Sequence, residues 1–485
     1  MYLPRWTYFL FLLALTVFAR RAWEPEDVMP LYSIRSAVGI EITEYHLYIA
    51  VPEGIVGFER FGTSIDYNSW QTFSIPHGVR GLMSLGDTIY VITSSGVYSR
   101  RENAFYDEPF RVSSSFPRFP PNITGSLLQD EIYSLPPGLY WGNGDTIWDC
   151  HLQEFHVTDA ANDGQGNIYF TTDGLGVFRI DQRIGIAEPI AFGPCCNSVL
   201  AMAKLGDTLF FGGCEEILTC AFAILDRRHE TCRWAGGEYG VAFPAYGIVE
   251  DIELYDDMVY LATRNGLALY DMDNRNWLRP TGKGSLPLTD ARGLAILRDT
   301  LYVAAEDGIY FASLDDRKLR KATVAGEGRF VDIDTALGTV YATGDFGAMK
   351  REDSTFVVYN PPDGMLTNFV RCISYSTEDE AVFGSNAGVL IVDKYGGRSR
   401  LPANIWFDSN APNDIVATKR YLWVATDKGL YMYNRRYKTV MHLGEKYYFP
   451  ETAIYRLLLD GNWLWLMTDR GVYRFFWNEP TRPGF

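Results

Sequence analysis

The sequence predicts an all-β protein assembled from a repeated sheet unit, and three observations carry that prediction. A strand–turn–strand phrase recurs eleven times at near-constant spacing. Its strands are runs of five or six residues rich in Val, Ile, Tyr and Trp. The chain is also heavy in turn-forming Gly, with 45, and in aromatics, at 15%. Such a composition suits short strands joined by tight turns better than long helices. At 485 residues the chain exceeds one ordinary core, and 47% hydrophobic against 21% charged residues excludes a disordered chain.

The charge balance narrows the partners. Lys plus Arg number 44 against 60 for Asp plus Glu, a net charge of −16. That field repels a phosphate backbone and an anionic membrane surface, so nucleic acid is set aside.

Taken in order, the chain opens with an export signal. Residues 1–19 carry Arg5 and the uncharged apolar run Thr7–Ala19, which is too short for a bilayer span of about 20 residues. Val17, Phe18 and Ala19 form a small-residue cleavage site. Arg20 and Arg21 follow at once and resist translocation, so a short uncleaved anchor is the alternative. No later stretch is apolar enough to span a membrane. The segment after Ala22 is expected to donate a final strand that closes a ring.

The repeats come next. Asp87–Ser99 (DTIYVITSSGVYS) returns at Asn167–Ile180, Asp257–Tyr270, Asp299–Phe311, Thr339–Met349, Glu380–Val392, Tyr421–Tyr433 and Trp463–Phe475. Weaker copies lie at His46–Phe58, Glu131–Tyr140 and Asp207–Cys220. The turn glycines fall at Gly54, Gly96, Gly138, Gly176, Gly266, Gly308, Gly347, Gly388, Gly429 and Gly471, with Glu216 standing in once. The period is ~42 residues, the β-propeller range of one four-stranded blade per repeat. Helical repeats share the period but require a 3.6-residue spacing that these runs lack. The predicted fold is therefore a β-propeller of about 10–11 blades. Within one unit, Val79–Leu85 is a strand, Gly86-Asp87 a two-residue turn, and Thr88–Thr93 a strand apolar on both faces because blades stack on both sides. Trp423, Trp465, Tyr260, Tyr302 and Tyr341 occupy equivalent strand positions and are expected between blades.

Asp363–Val370 followed by Glu380–Asp393 resembles the two-component regulator propeller repeat, whose phrase runs "dGLpsn.V..i" and then "lWigT..GL..yd". Tyr421–Asn434 (YLWVATDKGLYMYN) is the copy most like it. The resemblance covers most of residues 40–475 and is strongest after 250. It implies an extracytoplasmic sensor domain or a secreted accessory propeller. Full sensors add a membrane span and a kinase, for which this sequence shows no counterpart.

Eleven units exceed the usual four to eight blades of one ring. The interval between Glu216 and Gly266 is 50 residues and spans the polar, Gly-rich Asp226–Ala242. A junction is placed there, giving two rings, an N-terminal set at 23–235 and a C-terminal set at 236–485, with one large ring as the alternative.

Six of the seven cysteines fall within residues 150–232, which points to local disulfides in an oxidising compartment. Cys214 and Cys220 flank a hairpin-like EEILT and are the candidate pair. The odd count leaves one free thiol, with Cys372 the candidate. No CxxC pair supports zinc.

Catalytic signatures are absent: the sequence has no Gly-x-Ser-x-Gly elbow, Walker loop or His-Glu-x-x-His. Cys150, Glu154 and His156 share one strand face, spaced too widely for an obvious metal site. No cofactor is expected. Calcium at Asn162–Asn167 is the alternative, weakened because Asp173 stands where the full pattern needs Glu. Loops on a rigid scaffold carry function more often than repeats do. The candidate ligand-contacting aromatics are therefore Trp141, Trp148, Trp234, Tyr239 and Trp406, with Phe407. The sequence reads as an exported, non-catalytic propeller, secreted or periplasmic, that binds a protein, peptide or glycan. The alternatives are a polysaccharide lyase or glycoside hydrolase, with His151 or His229 meeting Arg and Glu in a funnel, and a ligand-sensing ectodomain partner of a two-component system.

Overall fold

A computed structural model describes residues 23, 27–61, 64–102, 110–113, 133–143, 145–149, 152–213, 222–228, 231–234, 248–326, 328–359, 369–377, 379–444, 449 and 452–478. The signal at residues 1–19, Cys150, His151, Cys214, Cys220, His229 and Tyr239 lie outside them. No helix among the described residues is long and apolar enough to cross a membrane.

The described chain forms ten sheets, eight of them four-stranded. We number them as blades 1–10 by their first strands: Gly39–Ile42, Val79–Leu85, Glu154–Asn162, Val199–Leu205, Val249–Tyr255, Ala291–Leu297, Phe330–Ala336, Val370–Thr377, Pro412–Ala417 and Ile454–Asp460. A blade runs antiparallel from its first strand outward. In blade 9, Pro412–Ala417 pairs with Tyr421–Thr426, then Gly429–Asn434, then Thr439–Leu443.

The first strands of blades 4 to 10 pack on one another in chain order, and that of blade 10 packs on that of blade 4. They form a closed seven-bladed ring. Blade 3 packs on blade 1, and blade 1 on blade 2. The ring takes in Val199–Trp234, a sheet that a division at 235/236 assigns to the N-terminal set. The 50-residue interval runs from blade 4 into blade 5, which are neighbours in the ring, and holds strands of both. The Gly138 copy forms no sheet of its own. After Pro136 and Pro137, which cannot donate to a ladder, Leu139–Trp141 and Thr146–Asp149 make a hairpin that joins the sheet of blade 3.

The ring is closed by the N-terminus. Val28–Leu31 pairs antiparallel with Val472–Phe475, supplying the outer strand of blade 10. Pro30 is tolerated because the strand is outermost, and the Thr72 hydroxyl of blade 1 covers the Pro30 carbonyl. Leu31 and Tyr32 are buried in a core shared by blades 1, 3, 4, 9 and 10.

The Thr-x-x-Gly rhythm has a local cause. The Thr426 hydroxyl donates to the Gly429 carbonyl at 2.9 Å and accepts the Lys428 N–H at 3.1 Å. Thr263, Thr468 and Ser385 bond their glycine carbonyls in the same way. Gly388 shows why the fourth residue is glycine: its φ is 125°, and a Cβ there would sit 2.1 Å from the Leu401 carbonyl oxygen. The aromatics at equivalent strand positions pack between blades, with Trp423 and Trp465 at most 1% exposed.

Candidate functional site

Each first strand of the ring carries an irregularity at its second residue. The ladder skips from Val249 to Asp251, Ala291 to Gly293, Phe330 to Asp332, Val370 to Cys372, Pro412 to Asp414, and Ile454 to Arg456; blade 4 skips from Val199 to Ala201. This is a β-bulge repeated around the ring. It explains a pattern that strict alternation does not. Val249 and Ile252, or Ala291 and Leu294, stand three apart yet both pack into the core, because the extra residue resets the phase of the strand.

The bulged residues share one destination. Leu200, Glu250, Arg292, Val331, Arg371, Asn413 and Tyr455, one from each blade, line a single cavity of about 400 Å³ together with Phe369, Asp427 and Arg456. This is the mouth of the axial channel, and each of the seven is half-buried. The volume suits a small ligand or the end of a chain.

The third position forms the floor. The Arg456 guanidinium of blade 10 reaches Asp332 of blade 7 at 3.0 Å. In a seven-membered ring those blades face each other across the axis, so this ion pair bridges the channel. Burial opposes the Arg456 charge, but Asp332, Asp251 and Asp414 outweigh it and hold the side chain charged. The aspartates also tie blades together. Asp251 accepts the N–H of Ile252 and that of Leu294 in the next blade, the latter at 2.8 Å. Asp414 does the same with Ile415 and Leu457, and Asp332 accepts the Ile373 N–H. Asp159 joins blade 3 to Ile40 of blade 1 by the same device.

Five carboxylates share this channel with Arg456, and burial raises the proton affinity of four of them, Asp251, Glu253, Asp334 and Asp414. Burial raises Asp251 to about 6, Asp414 to about 7 and Glu253 to about 8, the last with help from Asp251. Asp334 is pushed well above the usual range by burial and by Asp332. Burial likewise raises the free Cys372 thiol in the same layer.

The mouth ions are mostly matched within the wall. Glu250 accepts from Arg264 at 2.8 Å, and Arg292 donates to Asp290 at 2.7 Å. Arg371 differs. Its Nε donates to the Asn386 side-chain oxygen at 3.1 Å and its Nη1 to that of Asn413 at 2.8 Å. Asn413 is itself held by donating to Asp427 and to the Ile454 carbonyl. Phe369, whose ring lies 5.7 Å from the Arg371 guanidinium, has φ of 80°, a conformation costly for a bulky residue.

Of the aromatics singled out from sequence, Trp141, Trp148, Trp234 and Trp406 do not line this cavity. Trp141 is packed on Phe170 and donates to the Tyr133 carbonyl. Trp148 is half-buried in the same hairpin. Trp234 donates to the Gly193 carbonyl and faces Arg35. Trp406 lies in a short helix, Ala403–Trp406, against Tyr433, beside a fully buried Phe407. Among the described residues the aromatics at the funnel are Phe369 and Tyr455, and the signal for them was positional: they stand just before and just inside a first strand.

At Asn162–Asn167, the Asp163 carboxylate accepts from its own loop, from Gln165 N–H, Asn167 N–H and the Asn167 side chain, and pairs with Arg60 at 3.3 Å. Glu154 and His156 are exposed on their strand. Among the described residues, no group of three or more His, Cys, Asp or Glu side chains is arranged to hold a metal ion. Cys195 and Cys196 are disulfide-bonded, and Cys232 and Cys372 carry free thiols.

The sequence matches no known family profile and no curated protein. Among solved structures, the fold is similar to the extracellular domain of the hybrid two-component system protein BT4673 of B. thetaiotaomicron, with a TM-score of 0.49 and 13% identity, over 92% of this chain and 70% of that one. It is also similar to PorZ, a surface component of the type-IX secretion system of Porphyromonas gingivalis, with a TM-score of 0.49 and 15% identity, over 91% of this chain and 68% of that one.

Proposed function

We propose that this chain is an exported, non-catalytic propeller that binds a protein, peptide or glycan partner at the mouth of its seven-bladed ring. The observation that carries the reading is the convergence of seven bulged residues, one per blade, on a single cavity. A rigid scaffold presents them, and their chemistry is mixed: apolar, aromatic, amide and charged. Such a set recognises a ligand by shape and a few directed bonds. The floor carboxylates support binding over catalysis, since their oxygens accept backbone N–H groups of their own and the next blade. Export is supported by the N-terminal apolar run and by bonded cysteines, which persist in oxidising compartments.

The test is a blocked funnel. Leu200→Trp places a large ring in the mouth while leaving the floor and the blade seams untouched. The purified protein and this variant, matched by circular dichroism, are compared in capture of partners from an extracellular extract and on glycan and peptide arrays. Ligands held by the parent and lost by the variant support the reading. Equal binding by both places recognition elsewhere and overturns it.

A further inference from the structure

We infer that the funnel mouth recognises the carboxylate end of a peptide, an apolar terminal residue seated in the cavity with its carboxylate on Arg371. The inference rests on the funnel reading above and deepens it.

The argument begins with charge. Of the cations at the mouth and floor, Arg292 and Arg456 each have a carboxylate within 3.0 Å, and Arg264 at the rim has Glu250. Arg371 has none at that distance among the described residues. Its bonded acceptors are two neutral amide oxygens, and Asp427 comes only to 4.0 Å with 65% of its side chain exposed. The amides aim the guanidinium without neutralising it. A planar guanidinium held by Nε and one Nη still presents N–H groups, and a carboxylate is the partner that fits such a fork.

The surroundings decide which carboxylate. Leu200, Val331 and Phe369 give the cavity an apolar wall, with Tyr455 adding an aromatic face. A hydroxyl-rich sugar ring needs many polar partners, whereas an apolar side chain beside one anion needs a greasy wall and one cation. The terminal residue of a peptide has that form, and capture of a terminal carboxylate is a recurring mode of peptide recognition. Phe369 strengthens the assignment: its left-handed backbone is sustained where the surrounding structure requires it, at the edge of the cavity and against Arg371.

The test uses two labelled peptides of one sequence ending in leucine, one with a free carboxylate and one with a terminal amide, titrated by fluorescence anisotropy into the full chain. The free acid should bind at least tenfold tighter than the amide. Arg371→Met should remove that preference, and Arg371→Lys should restore part of it, while both keep the parent's melting temperature within a few degrees. Leu200→Trp separates the two levels of argument. If acid and amide bind alike and both are lost in Leu200→Trp, the funnel stands and the carboxylate inference falls. If the acid binds Leu200→Trp as well as the parent, the funnel reading falls too. If no peptide binds while a glycan binds in a manner sensitive to Leu200→Trp, the peptide assignment is overturned and the site remains.

Discussion

Closure of the ring by its N-terminal strand gives a quantitative prediction. Leu31 is fully buried, faces Val472 across the ladder, and sits in the core that joins blades 1, 3, 4, 9 and 10. Leu31→Ala removes three buried carbons and leaves a cavity in a region that seven-bladed closure prevents from collapsing. Substitutions of this kind cost about 2–5 kcal/mol. Even at the lower end the population of the open seam rises more than tenfold, since each 1.4 kcal/mol is a factor of ten. Met29 provides the internal control: it is half-buried on the same strand, opposite Arg474, so Met29→Ala should cost about 1 kcal/mol or less. The assay is urea unfolding followed by tryptophan fluorescence, with Trp465 and Trp423 beside the seam as reporters, joined by amide exchange over Gly471–Phe476. Leu31→Ala should lower the urea midpoint and accelerate exchange in that strand before the rest of the ring. If it shifts the midpoint no more than Met29→Ala does, and exchange at 471–476 is unchanged, closure does not depend on this strand and the reasoning is refuted.

Three further outcomes follow from the same geometry. Because burial raises Asp251, Asp414 and Glu253 to about 6, 7 and 8, above the ordinary carboxylate range near 4, the folded state holds more protons than the unfolded chain between about pH 4 and 8. Stability should therefore fall as pH rises through that window and level off above it. Glu253→Gln should flatten the slope of melting temperature against pH, and a rise across the window would contradict the assignment. Asp332→Ala strands the Arg456 guanidinium without its cross-axis partner and should cost about 3–5 kcal/mol in thermal unfolding, more than Asp332→Asn, which keeps an acceptor for the Ile373 N–H; a loss below about 1 kcal/mol in both variants would show that the ion pair contributes little. Gly388→Ala, with its Cβ against the Leu401 carbonyl, should lower the melting temperature clearly more than Gly396→Ala, where nothing lies within 4 Å of the new Cβ.

The blade rhythm was legible because it is local. A Thr or Ser at the end of one strand and a Gly three residues on close the same hydrogen-bonded turn in blade after blade, so the motif survives while its neighbours drift. The buried ring of Trp423, Trp465, Tyr260, Tyr302 and Tyr341 was legible for the same reason: equivalent positions meet equivalent surroundings. The funnel was not. Its residues are Leu, Glu, Arg, Val, Arg, Asn and Tyr, which share a position and no chemistry, and each stands 39 to 50 residues from the next. The bulge was hidden in plain sight as an apolar pair three apart, a spacing easily passed over when strands are read as strict alternation. The loop aromatics Trp141, Trp234 and Trp406 drew attention as large side chains in connections, yet each is packed against its own sheet or a neighbouring carbonyl.

The order of blades around an axis also lay beyond the sequence. Spacing counts units without saying which of them meet, and the long interval after Glu216 reads equally as a boundary or as a longer connection. Contacts among first strands place blade 4 between blades 5 and 10, and the N-terminal strand completes the sheet of blade 10. The sequence by itself determined the unit, because turns and strand faces are governed by interactions within a few residues. Only the tertiary structure decided the ring, the bridged channel and the mouth above it. Those arise when sheets that cannot bury both faces alone stack against one another, bringing residues hundreds of positions apart to a common axis.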